Sequence, residues 1–206
     1  MAASPAGNIP TRRSGWPVLR TPRWMLVLAA VLAVGLTLVA IPHHPSTAER
    51  AADLRGVVHD LNTDIESCAG GVSESLTALR QIQSGASHDT KTAISIATLG
   101  AANCSPANSM PMDDLVQYQP PGSLASFHLD QTVNDLVTWG FPDAQRVQLD
   151  VVTVLTASTP SAIRAATATL QRDQRVLDAE RATIDQMISS ASKSLAAGVA
   201  PPALPG

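Results

Sequence analysis

Cys68 and Cys104 are the only cysteines in the chain. A catalytic thiol or a metal pair would need a second cysteine or a histidine at ligand spacing beside them, and neither is present. A disulfide needs only a fold that brings the two together, and the local pattern supplies one. Ala51, Leu54, Val58, Leu61, Ile65, Cys68 and Val72 recur at alternating steps of three and four, the signature of a helical seam. Ser84-Gly85-Ala86-Ser87 reads as a turn, and Ala93, Ala97, Gly100 and Cys104 form one stripe of a second helix. The midpoint of the two cysteines falls on Ala86, inside that turn. Folding the helices back on each other brings Cys68 and Cys104 to one height, and small residues let the backbones approach to disulfide range.

Other chemistry-bearing groups are sparser. His43-His44 stand together in a Pro-bounded linker, where paired histidines are ordinarily solvated. Asp53, Asp60 and Asp64, with His59 beside them, run along the outer face of the first helix. No Glu-x-x-His partner exists to complete a bundle metal site, so the expectation is a solvated acidic face. Met110-Pro111-Met112 carries two soft thioethers, too thin a donor set for copper. Phosphate loops, dinucleotide-binding glycines, Gly-x-Ser-x-Gly and His-Glu-x-x-His are absent from the sequence. No catalytic residue, metal ligand or cofactor is therefore assigned, and the expectation is a non-enzymatic chain.

What remains is a candidate contact surface. Ser105–Gly122 holds four prolines and reads as one long loop. Met110, Met112, Leu115, Val116 and Tyr118 in that loop are the residues expected to meet a protein partner.

The elements that must position these groups follow from caps and breakers. Ser46 and Glu49 form a capping box, which predicts a first helix from about Thr47 to Gln83, with Gly70-Gly71 inviting a kink. Ser87 is the expected cap of the second helix. A third helix is expected over 126–139, stopped by Gly140, with Pro142 opening a fourth. Ala144, Val147, Val151, Val154 and Ser158 mark one face of that helix. Thr159-Pro160 opens a last helix reaching about Ala197. Its stripe is Ile163, Ala166, Leu170, Leu177, Ile184, Ile188, Ala191 and Leu195, interrupted by Asp173-Gln174. Gly198–Gly206 reads as a disordered Pro-rich tail.

The N-terminal part differs in kind. Residues 24–41 carry no charge and, at about 1.5 Å per residue, match the thickness of a bilayer core. Arg12, Arg13, Arg20 and Arg23 precede this run without any acidic residue, which orients residues 1–23 as a disordered cytoplasmic tail. Residues 42–46 then form a linker, and residues 47–197 form an extracytoplasmic helical domain, where disulfides persist. Eighteen apolar residues favour a retained signal anchor over a cleaved signal, although Ser46-Thr47-Ala48 offers a cleavage site before Glu49.

Composition limits the function further. Aromatic residues are 3% of 206, too few for a base-stacking surface. Beyond Ile41 there are 10 basic and 17 acidic residues, the wrong sign for a nucleic-acid binder. The expectation is an all-α chain: one transmembrane helix in the cell membrane, then an antiparallel bundle of four or five helices clamped by one disulfide. Its expected role is protein interaction or scaffolding in the cell envelope, with the lipid bilayer and another envelope protein as partners. A sensory or ligand-binding ectodomain and a secreted helical protein are the alternatives. Self-association through the first helix's seam is the other way to bury that seam.

Overall fold

A computed structural model describes residues 44–204. The basic tail, the apolar run 24–41, His43 and residues 205–206 lie outside the described residues. Among those described, every regular element is helical and no helix is long and apolar enough to cross a membrane. In order they are α1 (Thr47–Gln83), α2 (Thr90–Asn103), α3 (Met110–Gln117), a 3₁₀ turn (Gly122–Phe127), α4 (Leu129–Asp135), a π-helical turn (Leu136–Gly140), α5 (Phe141–Thr156) and α6 (Pro160–Ser194). The sequence led to a bundle of four or five helices; the described residues hold six α-helices.

The capping box starts α1. Ser46 Oγ accepts the Glu49 N–H at 3.2 Å, and the Glu49 carboxylate accepts the Ser46 N–H at 2.7 Å. All seven residues of the α1 seam are buried. They face α2, α3, the 3₁₀ turn and α5 of the same chain, so the seam is satisfied internally. At about 1.5–3 kcal/mol for each large apolar side chain, this seam is a main source of stability.

The helix α2 runs back along α1. Its cap is Asp89, two residues beyond the expected Ser87, because the Asp89 carboxylate reaches the Thr92 N–H at 3.0 Å. The disulfide forms as expected between Cys68 and Cys104, with Cα atoms 4.7 Å apart. One turn along, Gly71 and Gly100 bring the two backbones together, and a Cβ on Gly71 would stand 2.7 Å from the Gly100 Cα. The glycine pair therefore does not break α1, which runs unbroken to Gln83; it permits the crossing. Gln148 of α5 fills the notch, fully buried, its Nε2 donating to the Ala144 carbonyl at 3.3 Å and lying 3.1 Å from Cys104 Sγ.

Gly140 is not a stop. Its backbone is helical (φ −57°, ψ −48°), and α4, the π turn and α5 follow one another without a break. The reason is Pro142, which has no N–H and whose ring crowds the preceding turn. The Phe141 N–H instead reaches the Leu136 carbonyl, five residues back, and the widened turn absorbs the proline. Trp139 sits on this bulge and is exposed.

The last helix opens as expected, with Thr159 Oγ1 accepting the Ala162 N–H at 3.2 Å. It packs antiparallel on α5 and ends at Ser194, three residues short of the expected end. Ile163, assigned to its buried stripe, is exposed, whereas Asp173 is buried on it. The following segment is not a free tail over residues 198–204. Ser192 Oγ exchanges hydrogen bonds with the Val199 N–H and carbonyl, both at 2.9 Å. The Ala203 N–H donates to Asn62 Oδ1 of α1 at 3.0 Å, and Leu204 is buried.

Candidate functional site

The stretch expected as a loop contains α3, opened by Ser109 with Pro111 in its first turn. A proline there costs nothing, since the first helical N–H groups have no partner in any case. Within α3 the candidate contact residues separate. Leu115 is buried and anchors the helix to the core, while Met110 and Val116 are 83% and 52% exposed. The side chain of Met112 lies outside the described residues.

Tyr118 ends the helix in an extended conformation (φ −67°, ψ 130°) and is half-buried. Its hydroxyl donates to Asp60 Oδ2 of α1 at 3.3 Å. Burial, and then the Asp60 carboxylate, push the phenol up to about 12, so it stays a donor throughout the physiological range.

The 3₁₀ turn is fastened to α1 more firmly. Arg50 Nε donates to the Ser123 carbonyl at 2.9 Å, and its Nη2 donates to Ser126 Oγ at 2.6 Å. The same guanidinium lies 5.0 Å from the Phe127 ring centroid, within cation–π range. Ser123 Oγ donates to Asp53 Oδ2. The acidic row of α1 is thus not simply a solvated face. Asp53 and Asp60 hold the segment from Tyr118 to Phe127, and half-buried Asp64 is raised above the usual carboxylate range by burial, Asp114 and Asp60.

His128 turns the chain from the 3₁₀ turn into α4 with left-handed backbone angles (φ 53°, ψ 36°). That conformation is unfavourable for a residue with a Cβ. Leu124, Leu129 and Val133 are buried just around it and hold the corner closed.

Between these pieces lies an open groove of about 640 Å³, with Val116, Tyr118, Pro121, Ala125, His128 and Val137 among its walls. Buried Leu115, Leu124, Leu129 and Val133 line it, together with polar Gln117, Gln119 and Asn134. Exposed Asp130 lines it, and Asp113 and Asp114 are exposed on α3. Three expected residues, Leu115, Val116 and Tyr118, do line it; Met110 is exposed on α3, and Leu115 serves as an anchor. The 3₁₀ turn and the His128 corner were missed, and the helix expected over 126–139 begins at Leu129 and was not assigned to the groove. A left-handed histidine carries no sequence signal, and Arg50, 73 positions from its Ser123 partner, carries none either.

The polar groups in the groove do not converge as a nucleophile and base. Among the described residues no group of three or more His, Cys, Asp or Glu side chains could hold a metal ion. The arrangement can seat an apolar segment and attract positive charge around it. No family model, curated protein or solved structure matches this chain.

Proposed function

We propose that this chain is a single-pass, membrane-anchored protein of the cell envelope whose extracytoplasmic helical domain is a non-enzymatic interaction module. Its groove at α3, the 3₁₀ turn and α4 takes an apolar segment, flanked by basic residues, from another envelope protein. The observation that carries this reading is the division of α3: Leu115 is buried, while Val116 is exposed on the wall of the groove and Met110 is exposed on the same helix. Val116 differs from the singly exposed apolar residues elsewhere in lining a groove beside other apolar side chains, which supports a contact surface there. The surrounding Asp113, Asp114 and Asp130 account for the basic flanks by charge complementarity. The uncharged run 24–41 after four arginines supports the anchor and its orientation.

The test places a photo-crosslinking residue at Val116 or, as control, at Leu99, which is 64% exposed on α2. Full-length protein is irradiated in its own membranes. The expected result is one crosslinked species of discrete mass from position 116 alone, weakened by high salt and lost on adding Asp130→Lys. Equal labelling at both positions, or none at 116, overturns the reading. A product of twice the chain mass would make the occupant a second copy and overturn the envelope-partner assignment.

A further inference from the structure

The seam between α5 and α6 contains four carboxyl groups in register. Asp143 and Asp150 are seven residues apart on α5, and Asp173 and Glu180 are seven apart on α6. Antiparallel packing sets Asp150 against Asp173 and Asp143 against Glu180. One member of each pair is deeply buried: the Asp143 and Asp173 side chains are 8% and 5% exposed. Their partners Asp150 and Glu180 are half-buried.

Cations satisfy only part of this seam. Arg146 Nη1 lies 2.7 Å from Asp143 Oδ1, and Arg172 Nε lies 2.7 Å from Asp173 Oδ1. Asp135 of α4 adds negative charge at Glu180. Where α1 and α2 meet α5 at Gln148, they present Gly71, Ser75, Gly100 and the disulfide, all uncharged. Asp150 Oδ2, Asp173 Oδ2 and Glu180 Oε2 are buried atoms without any donor. Carboxylate oxygens only accept hydrogen bonds, so two ionised carboxylates facing each other cannot satisfy one another. A divalent ion would want more oxygen ligands than two per level and would meet an arginine at each. A proton needs only the two oxygens.

We propose that the α5–α6 seam is a proton-operated latch, in which each of its two levels takes up one proton from water as the pH falls from neutral to mildly acidic. The bound proton turns each facing pair into an O–H···O⁻ hydrogen bond and tightens α6 on α5. At the first level Asp150 holds the proton. Burial, and then the Asp173 charge, push its carboxyl up to about 6, while Asp173 stays ionised because Arg172 donates to it. At the second level Glu180 holds it, pushed up to about 7 by burial and then by Asp143. Both folded values lie above those of the unfolded chain. The stabilisation is therefore full below about pH 4 for these groups and is lost as the pH rises through 6 and 7.

The full chain in detergent is melted at about pH 5 and about pH 7.5. The expected Tm is about 2–5 °C higher at the lower pH. The double variant Asp150→Asn with Glu180→Gln supplies a permanent N–H donor at each level. It is expected to melt above the native protein at the higher pH and to lose the pH dependence. A native Tm that is flat or rises between these pH values, or a double variant that keeps the native slope, overturns the latch. Should the variant not fold, carboxyl-carbon NMR titration of the native chain decides: midpoints above about 5.5 for Asp150 and Glu180 support it, and midpoints near about 4 overturn it.

Discussion

The α1–α2 hairpin and the α5–α6 hairpin share an antiparallel plan and are joined by different chemistry. The first is closed by a disulfide, a glycine–glycine crossing and uncharged side chains. The second places two acidic pairs on its contact face, in each of which an arginine is ion-paired to one member and acts on the other only through space. A covalent, apolar joint holds equally well at any pH. A joint of facing carboxyls holds best when half of them are protonated. The same domain thus contains a fixed half and a half whose strength is set by the medium.

Opening the disulfide should break this contrast most. Cys68→Ala with Cys104→Ala removes a link across 36 positions and should cost about 3–4 kcal/mol on the chain-entropy account. Chemical denaturation at constant pH would measure it. The loss should be the same at mildly acidic and neutral pH, since no titrating group is involved.

Gly71→Ala should come next. Its new Cβ meets backbone at Gly100, which cannot rotate away, and the disulfide one turn off prevents the helices from parting. A cost of about 2–3 kcal/mol is expected in the same assay. Gly56→Ala, with nothing within 4 Å, is the matched control and should be neutral to stabilising.

The amide substitutions at Asp150 and Glu180 make the second hairpin resemble the first. At neutral pH they should together add about 1–2 kcal/mol, allowing for solvent screening of half-buried groups. The gain should vanish at about pH 5, where the native seam already carries its protons.

Loss of a helix cap is the smallest effect. Thr159→Ala removes the acceptor for the Ala162 N–H and should cost about 1 kcal/mol, independent of pH. Asp89→Ala, the corresponding change at the start of α2, should behave differently. Hydrogen bonds from Thr92 hold the Asp89 carboxyl below its ordinary range. Its contribution is present at neutral pH and is lost as the pH falls through the folded value, opposite in sign to the α5–α6 seam. Thermal melts of both variants from neutral to strongly acidic pH would separate the two.

The parts legible in the sequence rest on local rules. The Ser46–Glu49 box, the three-and-four seam of α1, the Thr159-Pro160 start and the cysteine pairing each use residues that signal through their own neighbourhood or through symmetry about a turn. Gly140 misled because glycine punctuates helices in isolation, and here a π turn lets the chain continue, whereas Pro142 does stand in the first turn of α5 as expected. The 3₁₀ turn's attachment through Arg50 and Asp53 joins residues 70 or more positions apart, with no periodicity to announce it. Asp173 looked like an interruption of an apolar stripe, although its spacing from Leu170 and Leu177 already put it on the buried side.

Hydrophobic period, caps and the two cysteines by themselves determined that this chain is helical, where its two longest helices begin, and how its first hairpin is clamped. These follow from hydrogen bonding and burial within a few turns of helix. Tertiary structure alone decided that Leu115 is an anchor and Val116 is exposed, that the acids of α1 hold the groove's wall, and that four carboxyls of α5 and α6 meet in pairs. Each of these depends on which distant surface a side chain is pressed against, and that is set by the packing of the whole domain.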